Sequence, residues 1–368
     1  MSGFQISHSR PNASARDRRR AERMAHGLLG VAAMTVLMAM LGGWVRLTQS
    51  GFAMAGWVEH GGWLPPLGEG EWAQAYERFR AIPALSGGGV EVGLSAFKSM
   101  FWLEYAHQMW ARLMVVALVA GIAVYVRLGW VRFTDGVFWK LMGVVLLGVA
   151  QGAVGWAMAF GAADAATPWI SQYRLTAHFG LAMLFFSSLV AVSLTLLHPR
   201  PHDRHHQSPG RLRGAGAAVA VLVFITALSG GFVAGVDAGY AYNTFPLMDG
   251  TLIPDGLFDH DPAWLAPFEH VTTVQFDHRV LGMVLLFAVL VFRVSAADRH
   301  LAPRTRLALN TLVTVAVAET ALGAFTVVYV APIPLASSHQ LMALALLAAA
   351  LWSVHELRGE APGVRGGS

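Results

Sequence analysis

Eight long apolar stretches constrain the fold of this chain more than any other feature. A helix needs roughly 20 apolar residues to cross the hydrocarbon core of a bilayer, and it must satisfy its own backbone polar groups there. With 55% hydrophobic and 13% charged residues, the chain has the composition of a membrane protein. We therefore predict an all-α polytopic membrane protein with eight transmembrane helices. They lie near residues 25–46, 99–126, 137–160, 173–197, 214–235, 271–293, 305–329 and 337–356.

Basic residues are distributed unevenly between the connections. Of the 26 Lys and Arg residues, 19 lie in the terminal segments and in alternate loops. Because positive residues favour the cytoplasmic side, we expect both termini in the cytoplasm and the chain in the cell inner (plasma) membrane. The net charge of +4 is then a topology signal and requires no nucleic-acid partner. The expected cytoplasmic segments are the tails 1–24 and 357–368 and the linker 201–213.

The two halves of the chain resemble each other. "LGGWVRLTQSG" (41–51) aligns with "SGGFVAGVDAG" (229–239), and "QGAVG" (151–155) aligns with "ETALG" (319–323). Each half has four spans, an even number, so both halves have the same orientation, unlike the inverted repeats of many transporters. We expect two tandem pseudo-symmetric four-helix bundles. The expected bundles cover residues 25–200 and 214–356.

Four histidines lie near the outer starts of spans two, four, six and eight. In the repeat, His107 matches His278 and His178 matches His339. Two imidazoles that face each other across a bundle suit the iron of a six-coordinate haem, and ionisable residues inside spans are usually functional. Hydrogen-bonded packing and proton relay remain alternatives. Zinc is disfavoured because carboxylates are sparse at that depth and the chain has no cysteine.

Glu104 distinguishes the two halves. It lies three residues before His107 and on the same helix face, whereas the matching residue before His278 is Gln275. A carboxylate in this position can accept a proton or stabilise developing positive charge, which favours chemistry in the N-terminal half. The alternative is a carboxylate that is simply exposed at the membrane interface.

Glycines and one arginine accompany the histidines. Glycines would let helix backbones approach a flat macrocycle, or would serve ordinary helix packing. Arg46, at the outer end of span one, suits haem propionates, or it extends to the interface as arginines in membranes do. The glycines concerned are Gly42, Gly43, Gly152, Gly155, Gly230, Gly231 and Gly323.

Several long motifs together resemble the haem A synthase family, of the cysteine-free proteobacterial and mitochondrial type. The resemblance covers about residues 25–356. It is carried by "GGWVRLTQSG", "WLPPLGEGEWAQAYERFRAIP" (63–83), "FWLEYAHQMWAR" (101–112), "GGFVAGVDAGYAYNTFPLMDG" (230–250), "FDHR" and "SSHQ".

This resemblance implies an activity and a division of the sites. The activity is oxidation of the C8 methyl of haem O to the formyl of haem A, which terminal oxidases use. The implied cofactor is a haem b held by His278 and His339, and the substrate haem O is held by His107 and His178. Glu104 is the implied catalytic residue, and Arg112 matches a family arginine. Arg46 and Arg112 are the expected propionate contacts.

The resemblance also leaves questions open. Gln108 stands where the family usually has arginine, which removes a positive charge beside His107. Expected partners are haem O synthase and oxidase assembly factors, and a homo-oligomer is compatible; the electron donor or acceptor is not indicated. The main alternative is a dihaem b-type electron carrier, which would use the same histidines but would not need Glu104. A transporter would need more polar residues near the midplane than Glu319.

Overall fold

The computed structural model describes residues 15–54, 63–82, 92–163, 171–199, 210–299 and 301–358, and eight long helices dominate these ranges. All eight are long and apolar enough to cross a membrane. The all-α class and the eight predicted spans are therefore confirmed. The helices are α1 (Ala15–Leu47), α2 (Leu94–Arg127), α3 (Gly136–Ala163), α4 (Gln172–Leu197), α5 (Gly210–Gly235), α6 (Val271–Ser295), α7 (Pro303–Val328) and α8 (Ile333–Arg358).

The two largest extensions beyond the predicted spans are at the N-terminal ends of α1 and α2. α1 begins at Ala15, because the segment "ARDRRRAERMA" is polar but rich in strong helix formers. α2 begins at Leu94, outside the predicted start near residue 99. Glu104 and His107 therefore lie about three to four turns inside α2, and not at its outer end as expected.

The C-terminal ends of α1 and α5 are built alike. Gln49 and Asp237, equivalent in the repeat, both adopt the left-handed conformation, with φ of 51° and 56°. A short 3₁₀ turn follows each of them, at Ser50–Phe52 and at Ala238–Tyr240. Because this conformation is uncommon for residues other than glycine, its recurrence at matching positions supports the predicted repeat.

The order of neighbouring helices is also the same in both halves. α1 packs against α2 and α4, and α3 packs against α4; correspondingly, α5 packs against α6 and α8, and α7 packs against α8. The halves meet where α4 contacts α5 and where α8 contacts α1 and α4. These contacts support the two predicted bundles, whose pseudo-symmetry and boundaries at 25–200 and 214–356 stay predictions.

The main apolar core lies toward the helix ends that are near the two termini. Fully buried members come from several helices, among them Met24, Leu141, Leu189, Val289 and Leu312. In lipid such a core is held by close van der Waals packing, because lipid tails are as apolar as leucine. The opposite part of each bundle, away from the two termini, contains the histidines.

A second, smaller core closes the end of the N-terminal half that lies away from the main core. The short helix Glu69–Arg80 lies over the first turns of α2. Its aromatic contacts include Trp72 with Phe101 and Phe79 with Phe97, each pair with ring centroids 5.0 Å apart. We refer to this group, Phe52–Met54 with helix Glu69–Arg80, as the aromatic cap.

Candidate functional site

His107 on α2 and His178 on α4 each lie against a glycine of the preceding helix. A Cβ added at Gly42 would lie 3.0 Å from Cε1 of His107, and one added at Gly155 would lie 2.9 Å from Cε1 of His178. Such separations are shorter than ordinary carbon contacts of about 3.5 Å. Any larger residue would therefore displace the ring, so the glycines on α1 and α3 create the space for these two imidazoles.

The C-terminal half repeats this arrangement. A Cβ at Gly230 of α5 would lie 3.1 Å from Cε1 of His278, and one at Gly323 of α7 would lie 2.9 Å from Cε1 of His339. All four histidines thus occupy equivalent niches, each made by a glycine of an odd-numbered helix. The four glycines contact histidine rings directly, which differs from the expectation that they face a macrocycle.

The other three glycines have different surroundings. A Cβ on Gly43 would collide with Gln340 of α8, and one on Gly231 would contact Thr176 of α4. These two glycines therefore serve close helix packing between the halves. Gly152 has no atom within 4 Å of an added Cβ, so neither role applies to it.

The two histidines of each half lie near each other. The ring centroids of His278 and His339 are 6.2 Å apart, with planes at 73°, and His107 lies within electrostatic range of His178. In the described part of the chain, no group of three or more His, Asp or Glu side chains could bind a metal ion. Each site therefore offers two nitrogen ligands, too few for zinc but suited to an iron whose other positions are filled by a porphyrin.

Polar side chains on α3 and α7 approach one histidine of each pair. Gln151 Nε2 lies 3.2 Å from Nε2 of His178. At the equivalent position, Glu319 Oε2 lies 3.1 Å from Nδ1 of His339. The N-terminal half thus has an amide where the C-terminal half has a carboxylate. Sequence reasoning treated Glu319 only as an isolated midplane charge.

Glu104 is buried beneath the aromatic cap. Its side chain is 5% exposed. It accepts a hydrogen bond of 2.9 Å from the backbone N–H of Met54 and one of 3.1 Å from Nε2 of Gln108. The alternative of an exposed interfacial carboxylate is therefore wrong, because the loop folds over this turn of α2.

Gln275 occupies the position that matches Glu104, and it contacts the equivalent loop as a hydrogen-bond donor, whereas Glu104 is an acceptor. Its Nε2 donates to the carbonyl oxygens of Ala238 at 2.8 Å and Tyr242 at 3.4 Å. Tyr242 aligns with Met54, whose N–H binds Glu104. In each half, the loop after the first helix is therefore fixed to the helix that contains the first histidine, by a carboxylate in one half and an amide in the other.

Arg279 was not identified from the sequence. It is buried, and its guanidinium donates to the carbonyl oxygen of Thr244 at 2.6 Å and to that of Tyr242. The equivalent residue in the N-terminal half is Gln108. The sequence feature that could have identified Arg279 is its place inside a predicted span, because a charged residue there is costly unless it has partners.

The two arginines expected at propionates have protein partners. Arg46 Nη2 lies 2.9 Å from Oδ1 of Asp237, which joins α1 to the second half. The guanidinium of Arg112 lies 4.5 Å from the ring centroid of Trp63, a cation–π arrangement. Propionate contact by either arginine stays a prediction.

Eight apolar helices with two histidine pairs define a polytopic membrane protein with two sites that fit haem. The model of the family described as cytochrome oxidase assembly protein matches residues 25–351. A heme A synthase of Nitrosospira multiformis is 39% identical over 330 residues, covering 89% of this chain and 91% of the relative. A human heme A synthase is 39% identical over 347 residues, covering 92% and 83%. This chain belongs to the cytochrome oxidase assembly protein family, which confirms the predicted resemblance.

Proposed function

We propose that the protein is a haem A synthase, which oxidises the C8 methyl group of haem O to a formyl group and so supplies haem A to terminal oxidases. The observation that carries this proposal is the difference between two otherwise equivalent histidine sites. A buried carboxylate, Glu104, lies one turn from His107, and only an amide, Gln275, stands at the matching place. A dihaem electron carrier would account for the four histidines but not for this difference.

The two sites have different roles in this proposal. His278 and His339 hold a resident haem b, and His107 and His178 hold haem O as substrate. The niches made by Gly230 and Gly323 support the first assignment, and those made by Gly42 and Gly155 support the second. Because the histidines lie in equivalent positions, both haems would lie at similar depth, toward the outer face.

Glu104 would act at the substrate haem. Converting a methyl to a formyl group oxidises an inert carbon, and the haem supplies the redox chemistry that side chains lack. The carboxylate of Glu104 is fixed by the Met54 N–H and by Gln108, so it is pre-positioned and shielded by the aromatic cap. Held in this way, it can stabilise positive charge that develops on the carbon or accept the proton that leaves.

A pigment analysis tests the activity. The chain would be expressed with a haem O synthase in cells that lack their own haem A synthase, and extracted haems would be separated by chromatography. Haem A is the expected product, and the matched control is a catalytically impaired Glu104→Gln variant. Accumulation of haem O alone, with both haem sites of the wild type occupied, would instead favour the dihaem carrier.

The proposed orientation places both termini in the cytoplasm of the inner membrane. Because the chain contains no cysteine, single introduced cysteines can be labelled without background. Leu252→Cys, in the second outer loop, should react with an impermeant maleimide from the periplasmic side. Asp298→Cys, between α6 and α7, should react only after the membrane is permeabilised. The reverse pattern would contradict the orientation.

A further inference from the structure

His278 has a hydrogen-bond partner that selects the tautomer of its ring. Ser229 Oγ lies 2.8 Å from Nδ1 of His278 and 2.7 Å from the carbonyl oxygen of Thr226. A hydroxyl has one proton, and the carbonyl can only accept it, so the oxygen of Ser229 accepts from the Nδ1–H. In the neutral imidazole of His278, Nε2 is then unprotonated and its lone pair is free for a metal.

His339 has a carboxylate in the equivalent role. Glu319 Oε2 lies 3.1 Å from Nδ1 of His339, and the two side chains are 13% and 25% exposed. The distance is that of an ion pair, although the angle is outside hydrogen-bond geometry. Because a carboxylate only accepts, it favours an Nδ1–H here as well. A carboxylate behind a metal-binding histidine orients the ring and increases its basicity.

The N-terminal half lacks both of these groups. Leu41 aligns with Ser229, and Gln151 aligns with Glu319. Nδ1 of His107, of His178 and of His339 is in each case buried without a hydrogen-bond partner among the described residues, but of these three only Nδ1 of His339 has a carboxylate oxygen at ion-pair distance. Gln151 approaches Nε2 of His178, whereas Glu319 approaches Nδ1 of its histidine. Among the described residues, neither histidine of this half therefore has a hydrogen-bonding or ion-pairing oxygen at Nδ1, whereas each histidine of the C-terminal half has one.

We propose that Ser229 and Glu319 are positioning residues that make the C-terminal haem permanent and lower its reduction potential, whereas Leu41 and Gln151 leave the N-terminal haem exchangeable. The inference rests on the proposed function, because an enzyme whose substrate and product are both haems must release one of them. More basic imidazoles favour the ferric ion, so the groups behind His278 and His339 both retain that haem and lower its potential.

The expected change in haem affinity can be taken from metal sites in other proteins. Loss of a group behind a ligating histidine typically lowers metal affinity by about 10–100-fold. If the ferric form loses ten times more affinity than the ferrous form, the reduction potential rises by about 59 mV. Glu319→Gln and Ser229→Ala should each act in this direction, with the larger effect for Glu319→Gln, which removes a charge.

The experiment measures haem release and potential, not haem A. Both variants would be prepared in a His107→Ala background, so that only the C-terminal haem is observed. Release would be followed by transfer of haem to apomyoglobin, and potential by redox titration. Release about 10–100-fold faster than in the His107→Ala parent, with a raised potential, is expected, and Glu319→Asp should restore part of both. Parental release and potential in both variants would overturn the proposal.

A variant of the N-terminal site tests the proposal even if the C-terminal variants fail to fold. Leu41→Ser in otherwise wild-type protein introduces, at the position that matches Ser229, the hydroxyl that Nδ1 of His107 lacks, and it should slow the release of haem from the N-terminal site by about tenfold or more. If the C-terminal variants do not fold, unchanged release from Leu41→Ser would by itself overturn the proposal. A wild type that retains its C-terminal haem but makes no haem A would instead contradict the proposed function alone.

Discussion

The two halves of this protein have equivalent histidine niches but exchange two polar residues. The N-terminal half has a carboxylate under its loop, Glu104, and an amide beside its second histidine, Gln151. The C-terminal half has the amide under its loop, Gln275, and the carboxylate beside the histidine, Glu319. The same arrangement of four helices can therefore hold a carboxylate in either of two places. One lies near the carbon of the substrate that would react, and the other lies beside Nδ1 of a histidine that would bind the metal. Under the proposed function, the position of one carboxylate separates the reactive site from the site that retains its haem.

The largest expected effect comes from removing a ligand on the reactive side. His107→Ala should abolish haem A production, because haem O loses an axial ligand, and it should leave the C-terminal haem in place. The matched variant His278→Met should alter the low-spin spectrum of the resident haem. Haem extraction and absorption spectra of the purified variants distinguish the two outcomes. Normal haem A production by His107→Ala would show that the halves have been assigned the wrong way round.

The next largest effect concerns Glu104. Glu104→Gln keeps the shape of the side chain and removes its charge, so haem binding should persist while the rate of haem A formation falls about 10²–10⁴-fold. Single-turnover assays with bound haem O measure this rate. A variant as fast as wild type at equal protein level would leave Glu104 as a residue that only anchors the loop.

The reciprocal change tests whether the charge alone is sufficient. Gln275→Glu would place a carboxylate against the carbonyl oxygens of Ala238 and Tyr242, which the amide of Gln275 now contacts. Two acceptors then face each other without a proton, so the second outer loop should loosen. No second reactive site should form, and haem A should still come only from the N-terminal half.

These contacts show how far the sequence could be used for prediction. The spans follow from apolar length, and the equivalence of the histidines follows from the repeat, since both are local patterns. The burial of Glu104 does not follow from a local pattern, because its partner Met54 is 50 residues away and belongs to a loop without periodicity. The pair of Arg46 and Asp237 joins residues 191 positions apart. Such contacts depend on how the loops fold over the bundles, which hydrophobic patterning does not specify.

A smaller effect is expected at the glycine niches. In Gly155→Ala, the new Cβ would lie 2.9 Å from Cε1 of His178, and overpacking of this kind typically costs about 1–3 kcal/mol. The ring should shift, so affinity for haem O at the N-terminal site should fall. Gly152→Ala, one turn earlier with no atom near its added Cβ, is the matched control. Equal haem affinity in the two variants would show that the niche does not position His178.

The smallest expected effect lies at the junction of the halves. Asp237→Asn removes the partner of Arg46, and because Asp237 is 37% exposed, the loss of stability should be only about 0.2–1 kcal/mol. A small decrease in the thermal denaturation midpoint in detergent would show it, and Arg46→Gln should add little in the double variant if the two residues act as a pair.

Haem affinity separates this role from the predicted propionate contact. Arg46→Gln weakens haem binding if the guanidinium reaches a propionate, whereas Asp237→Asn leaves that guanidinium in place and should not. Equal and small effects of both substitutions on haem affinity would restrict Arg46 to joining α1 to the second outer loop.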